Sequence, residues 1–191
     1  MSIKHYVIWV LLGAFIGVGA WYYLGQQQVR SEAGTVQPFN FDRDSAQVDA
    51  LFHKGDNWYW MICVENKDTY SVDHMLRYAS SSQHAKKHDL IMKVDRRDDQ
   101  VVGFSAYHQD TSNVYRILFL IVDQDFRRQG IARKLLEYVM DDIKAKGARK
   151  IYLATRNNNF RAQALYKSMG FNVNYQDDQF VEMSYLVSAA K

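Results

Sequence analysis

The chain has 191 residues, 48% hydrophobic and 14% aromatic, with one proline and ten glycines, so a sizeable core is available and a disordered or fibrous chain is excluded. The formal net charge of +3, from 24 basic and 21 acidic residues, is too balanced for a nucleic-acid surface. Cys63 is the only cysteine, which rules out an internal disulfide and a zinc site built on thiolates; no metal is expected. Residues 6–24 carry no charged side chain. As a helix they would reach about 28 Å, close to a bilayer core of roughly 30 Å. Trp9, Trp21, Tyr22 and Tyr23 lie towards the ends, where amphipathic rings favour the interface. The expectation is a single transmembrane anchor over residues 1–25. A cleaved signal peptide ending near Val18-Gly19-Ala20 and a hydrophobic helix docked on the domain or in a dimer are the alternatives. Gly13 and Gly17 form a G-x-x-x-G pair that would suit a homodimer, although chance explains it better in so glycine-rich a stretch.

Residues 26–36 are polar and aperiodic and read as a linker, ahead of one α/β domain over residues 37–191. The pattern predicts a short strand at 39–41 and a helix at 44–53, capped by Asp44 or Ser45. Residues 58–64 are aromatic-rich and give no clear period; 71–79 read as a helix. Strands follow at 90–94, 101–108 and 114–122, separated by the charged turn 95–99 and by 109–113. The run 114–122 is almost continuously apolar, as in a central strand covered on both faces. A helix at 129–146 places Ile131, Leu135, Leu136, Val139 and Ile143 on one stripe and stops at Gly147. A strand at 150–155, a short helix at 160–169 ended by Gly170, and a hairpin of 171–175 and 180–187 complete a mixed sheet.

The turn Arg127-Arg128-Gln129-Gly130-Ile131-Ala132 lies between a strand and an amphipathic helix. Such a turn aims several backbone N–H groups at one spot, where the helix N-terminus adds partial positive charge, an arrangement suited to a pyrophosphate. About thirty residues on, Asn159, Ala162 and Leu165-Tyr166 precede Gly170-Phe171.

The element order and these two motifs together resemble the GNAT superfamily of acyl-CoA N-acyltransferases, over roughly residues 36–187. The hexapeptide resembles the family's Q/R-x-x-G-x-G/A phosphate loop. Within the family the sequence is most similar to bacterial members that acetylate protein amino termini. The resemblance implies a mostly antiparallel mixed sheet flanked by helices and acetyl-CoA as co-substrate. Its pyrophosphate would lie over the amides of Arg128, Gln129, Gly130, Ile131 and Ala132. The main chain at Leu120, Ile121 and Val122 would pair with the pantetheine arm, on a strand that splays from its neighbour and leaves donors for the thioester oxygen. Arg127, Arg128 and Arg133 would add charge near the phosphates. Tyr166 would protonate the departing thiolate, and Asn159 would support the carrier's amide or the loop.

A general base is not evident. Many relatives place a glutamate on the strand matching 114–122, where this chain has none; some place it on the next strand, where this chain has Ala154. His108, Asp110 and Asp123 are the remaining candidates, with deprotonation through a water chain as the default. The resemblance implies an N-acetyltransferase that works by direct attack of a small-molecule or protein amine in a ternary complex. A non-catalytic CoA-binding or scaffold domain, or an enzyme for longer acyl-CoA, stands as the alternative. Because the implied donor is cytosolic in most settings, the expected location is a single-pass membrane protein with its catalytic domain on the cytoplasmic side.

Overall fold

The structure, a computed structural model, describes residues 34–60 and 90–188, apart from the side chain of Trp58. The expected anchor, the helix at 71–79 and Cys63 lie outside the described residues. The elements in chain order are β1 (Thr35–Pro38), α1 (Phe41–His53), the single turn α2 (Asn57–Trp60), β2 (Ile91–Arg97), β3 (Gln100–Thr111), β4 (Val114–Val122), α3 (Ile131–Ala145), β5 (Lys150–Arg156), α4 (Phe160–Ser168), β6 (Asn172–Gln176) and β7 (Phe180–Leu186).

The strands form one seven-stranded sheet in the order β1-β2-β3-β4-β5-β7-β6. Every neighbouring pair is antiparallel except β4 and β5. On one face, Val48, Leu51 and Phe52 of α1 pack on Met92, Val94, Phe104, Ala106, Phe119 and Ile121. On the other, Leu136, Val139, Met140 and Ile143 of α3, with Tyr166 of α4, pack on Tyr107, Ile117, Ile151, Leu153 and Met183. Each such buried aliphatic or aromatic side chain contributes about 1.5–3 kcal/mol relative to leaving it in water.

β4 serves both cores. Tyr115 and Ile117 belong to the α3 face, Phe119 and Ile121 to the α1 face. The switch occurs at Leu118, which is left over in the register because Ala106 opposes Phe119 and Tyr107 opposes Ile117. One extra residue in a strand sends the following side chains to the opposite face.

Several expected boundaries move for local reasons. The strand expected at 39–41 ends at Pro38 instead, and Thr35 and Val36 of the expected linker belong to it. Asn40 caps α1, its side chain accepting from the Arg43 amide at 3.0 Å, while the Asp44 carboxylate accepts from the Asn40 amide at 2.9 Å. Asp44 is therefore inside the helix. β2 runs through Asp95 and Arg96, both buried, and the hairpin turns only at Asp98 and Asp99, with φ of 45° and 61°. Two residues with positive φ make the tight turn that matches strand twist.

The expected single-pass membrane location is corrected. Among the described residues no helix is long and apolar enough to cross a membrane. The longest of them, α3, has 15 residues, about 22 Å against a core of roughly 30 Å. Residues 6–24, on which the expectation rested, lie outside the described part.

Candidate active site

The parallel ladder between β4 and β5 is short. It runs from Val114 opposite Lys150 to Ile117 opposite Leu153. Beyond that point β4 continues to Val122, held on its other side by β3 through Ser105 opposite Leu120, Phe104 opposite Ile121 and Gly103 opposite Val122. β5 continues to Arg156, held on its far side by β7. The two central strands therefore part just after the bulge at Leu118. Among the described residues no strand pairs with Leu120, Ile121 or Val122 on the β5 side. The wedge exposes a row of main-chain donors and acceptors, able to bind an extended ligand as an added strand.

The turn after β4 leads to the mouth of this wedge. A 3-10 turn at Gln124–Phe126 is capped by Asp123, whose carboxylate accepts from the Asp125 amide at 3.1 Å. Arg128 then takes φ 67° and Gly130 φ 80°. Left-handed backbone at a non-glycine residue costs about 1–2 kcal/mol, so Arg128 holds a strained shape that turns neighbouring amides to one side. α1 and α4 are capped by Asn40 and Asn159, whereas Gly130 gives α3 no side-chain cap. The first intrahelical bond at the start of α3 is Lys134 N–H to the Gly130 carbonyl at 3.0 Å. The amides of Ile131, Ala132 and Arg133 thus have no acceptor within the helix, and the positive end of the helix dipole points the same way. A Cβ placed on Gly130 would meet nothing within 4 Å, so the approach to this backbone is open.

The residues singled out in the sequence fall into distinct surroundings. Arg127 donates to Asn57 Oδ1 at 2.7 Å, Asp56 Oδ1 at 3.2 Å and the Val122 carbonyl at 3.3 Å. Lys54 bridges Asp123 at 2.7 Å and Asp125 at 2.6 Å. These bonds fasten the end of α1 to the turn. Gln129 accepts from Arg97 at 2.5 Å. Arg128 is exposed. Arg133 donates to Ser168 Oγ at 2.8 Å and rests on Met169 Sδ, tying α3 to the end of α4. Asn159 accepts from the Ala162 amide at 3.2 Å as the cap of α4.

Tyr166 is buried on the α3 face, in one cluster with Ile117, Leu153 and Leu120, the residues at the opening of the wedge. Burial pushes its hydroxyl up to about 12, so it is protonated at neutral pH. On the α1 face, His108 is 3% exposed. Asp110 accepts from the Tyr152 hydroxyl at 2.8 Å, and burial together with that bond raises the phenol. The three candidate bases are thus not brought together. Asp123 lies in the turn paired with Lys54, and Asp110 lies at the closed end of the β4–β5 ladder. Among the described residues no cluster of three or more His, Cys, Asp or Glu is placed to hold a metal ion.

Two features were not singled out in the sequence. Glu182 of β7 stands directly opposite Ala154 of β5. A cavity of about 560 Å³ opens beyond the end of β5, lined in part by Tyr59, Arg156, Asn157, Asn158, Gln176 and Gln179. Arg156 stacks over the Tyr59 ring at 4.4 Å and donates to the Tyr59 carbonyl. Both features depend on pairings across loops, and the local pattern carries no signal for them.

Residues 52–171 match the acetyltransferase (GNAT) family. Among curated proteins, the chain is similar to the ribosomal protein bS18 alanine N-acetyltransferase of Salmonella typhimurium, with 37% identity over 75 residues, 39% of this chain and 50% of the relative. The chain spans about half the length or less of the curated relatives of this kind that it matches. Among solved structures it is similar to the ribosomal-protein-S18-alanine N-acetyltransferase of Escherichia coli, with a TM-score of 0.62 and 18% identity over 83% of this chain and 96% of the other. It is also similar to an N-acetyltransferase of Thermoplasma acidophilum in complex with coenzyme A, with a TM-score of 0.62 and 16% identity over 82% of this chain and 100% of the other. At these identities the structural likeness establishes the α/β fold, a mostly antiparallel seven-stranded sheet flanked by helices.

Proposed function

Because this chain belongs to the acetyltransferase (GNAT) family, we propose that residues 37–191 form an N-acetyltransferase that moves an acetyl group from acetyl-CoA to a primary amine, by direct attack with both substrates bound. The observation that carries this reading is one conjunction. A wedge of unpaired β4 backbone opens beside an uncapped helix N-terminus whose approach turn holds Arg128 and Gly130 at positive φ.

Acetyl-CoA supplies the activated acetyl thioester and a diphosphate by which to hold it. The residues present fit that group. The amides of Arg128, Gln129, Gly130, Ile131 and Ala132 would bind the diphosphate, and no side chain competes for them at the α3 cap. Leu120, Ile121 and Val122 would continue the sheet onto the pantetheine arm and lend N–H donors to the oxyanion formed on attack. Arg128 and Arg133 would add charge, while Arg127 holds the turn through Asp56 and Asn57. Tyr166 would give its proton to the departing thiolate. The burial that keeps its hydroxyl protonated also penalises a bare thiolate beside it, so a proton is demanded at that place.

The acceptor class that fits best is a peptide amino terminus. The curated relative is named for acetylating an alanine of a ribosomal protein. The cavity beyond β5 is lined by the amides of Asn157, Asn158, Gln176 and Gln179, which suit a peptide backbone. The test is calorimetric titration of the full chain with acetyl-CoA, followed by release of free CoA thiol with an alanine-led hexapeptide. Binding with peptide-dependent thiol release is expected. Binding without release on any amine would favour the non-catalytic alternative, and absence of binding would refute the reading outright.

A further inference from the structure

The wedge lies between the two faces of the sheet, and each face brings different groups to it. Tyr166 lies on the α3 face, packed with Ile117 and Leu153. The side chains of Tyr152, Ala154 and Glu182 alternate with Ile151, Leu153, Val181 and Met183, which are buried in that same α3 cluster, and so they lie on the α1 face. An amine that attacks a thioester held in the wedge while Tyr166 serves the leaving group has the α1 face as its approach. The proton acceptor must then stand on that face, next to the point where β4 and β5 part.

Ala154 is the first β5 residue past the last ladder pair, and its methyl offers no chemistry. Its partner in register on β7 is Glu182. Neighbouring strands lie about 4.8 Å apart, a gap that a glutamate side chain spans, and nothing larger than the Ala154 methyl stands between on β5. Tyr152 is the diagonal neighbour of Glu182, because Tyr152 opposes Ser184. Glu182 is half-buried, and Asn174 Nδ2 donates to its Oε1 at a long 3.4 Å. Among the described residues it forms no ion pair, whereas Asp123 is bonded to Lys54 and Asp110 accepts from Tyr152. A carboxylate bonded to a cation is a poorer proton acceptor than one that is not.

We infer that Glu182, reaching across Ala154 from β7, is the catalytic group that takes the proton from the incoming ammonium. The inference rests on the reading that the wedge receives acetyl-CoA. In the step, one N–H proton passes to the Glu182 carboxylate, directly or through one water. The freed nitrogen lone pair forms the N–C bond, and the carbonyl π pair moves to oxygen. When the carbonyl re-forms, the C–S pair leaves on sulfur, which takes the Tyr166 proton. The nitrogen sheds its surplus proton to the Tyr166 phenolate through solvent. The products are the acetylated amine, free CoA thiol and one proton on Glu182, which is released to water.

The test uses the full chain with acetyl-CoA, an alanine-led hexapeptide and spermidine. Glu182→Gln is expected to bind acetyl-CoA by calorimetry within about twofold of wild type and to lose about 100-fold or more in kcat, the usual scale for a general base. Moving the carboxylate one strand over, in Glu182→Ala with Ala154→Glu, is expected to recover at least about tenfold over Glu182→Ala alone. Retention of kcat within about threefold in Glu182→Gln, or no recovery in the double variant, overturns the assignment of Glu182 and leaves the acetyltransferase reading standing. A wild-type chain that neither binds acetyl-CoA nor releases thiol with either amine overturns that reading, and Glu182 with it.

Discussion

Gly130→Ala and Gly147→Ala form a matched pair that separates backbone strain from ligand contact. Both glycines have φ of 80°, and a Cβ on either would meet nothing within 4 Å. They stand at opposite ends of α3. Gly130 precedes its first turn, and Gly147 ends it with an amide that donates to the Lys144 carbonyl at 2.9 Å. An alanine forced into left-handed backbone costs about 1–2 kcal/mol at either position. For a chain of this size each kcal/mol lowers Tm by roughly 2–4 °C, so both variants should melt about 2–8 °C below wild type. Their ligand affinities should differ. A Cβ at Gly130 stands where the diphosphate would approach the backbone, and one displaced charge-assisted hydrogen bond is worth about 1.5–3 kcal/mol. Acetyl-CoA binding by calorimetry should therefore weaken about 10–150-fold in Gly130→Ala and stay within about twofold in Gly147→Ala. Equal affinities in the two variants would refute the phosphate-binding role of the turn, because strain common to both would then be the whole effect.

Tyr166→Phe should lower kcat about 100-fold or more while leaving acetyl-CoA affinity unchanged, and intact turnover would remove Tyr166 from the proton path. Asp142 sits among Lys93 at 2.9 Å, Lys146 at 2.5 Å and the Tyr107 hydroxyl. Burial pushes its carboxyl up, but the bonds from Lys146, Tyr107 and Lys93 outweigh it and hold the group at about 2. A depressed carboxyl stabilises the fold above its unfolded value near 3.8, and that contribution is lost as pH falls towards 2. Asp142→Asn should accordingly cost about 2 kcal/mol at pH 7, with the gap to wild type in thermal melts closing between pH 4 and pH 2; a gap that ignores pH would contradict this. Asp44 is fully buried and pairs with Arg96 at 2.7 Å. Asp44→Ala should cost about 3–5 kcal/mol in a urea melt, because buried Arg96 loses its close carboxylate partner and keeps only the exposed Asp99, at 3.7 Å. Arg43→Ala, which removes only a half-exposed partner of the same carboxylate, should cost clearly less than Asp44→Ala in the same melt.

What the sequence made legible was local. The stripe of Ile131, Leu135, Leu136, Val139 and Ile143 is the buried face of α3, and β4, apolar apart from Arg116, has exposed neither face. The glycine turn announced itself because its residues are contiguous and each does one thing the backbone requires. The candidate base did not announce itself, because no local pattern records what lies across a strand gap. Asp110 and Asp123 were reasonable from their positions at strand ends. Their partners Tyr152 and Lys54 come from 42 and 69 residues away. Glu182 becomes conspicuous only once β7 is known to insert between β5 and β6 and the register sets it against Ala154. The charged stretch after β2 misled for a related reason. Asp95 and Arg96 look like turn residues, and their partners, Lys134 of α3 for Asp95 and Asp44 of α1 for Arg96, come from distant parts of the chain.

The bulge at Leu118 links these observations. Were Leu118 paired in regular alternation, Tyr115, Ile117, Phe119 and Ile121 would all face α3, and nothing in the register would mark the point of departure from β5. With the bulge, Phe119 and Ile121 drop into the α1 core and anchor the far half of β4 to β3, while the near half stays paired to β5. The far half is thus held by packing on both faces, with Leu120 and Val122 against Ile131 and Leu135 of α3, and by β3 on one edge, which leaves its other edge open at no cost in buried apolar surface. A deletion of Leu118 would remove the bulge yet leave Ile117 opposite Tyr107 and Phe119 opposite Ala106, so Phe119 and Ile121 would stay in the α1 core. The expected outcome is a folded chain with a cooperative melt, in which β4 runs on beside β5, the wedge closes and acetyl-CoA binding by calorimetry is lost. A folded deletion variant that still bound acetyl-CoA would show that the opening does not depend on the bulge.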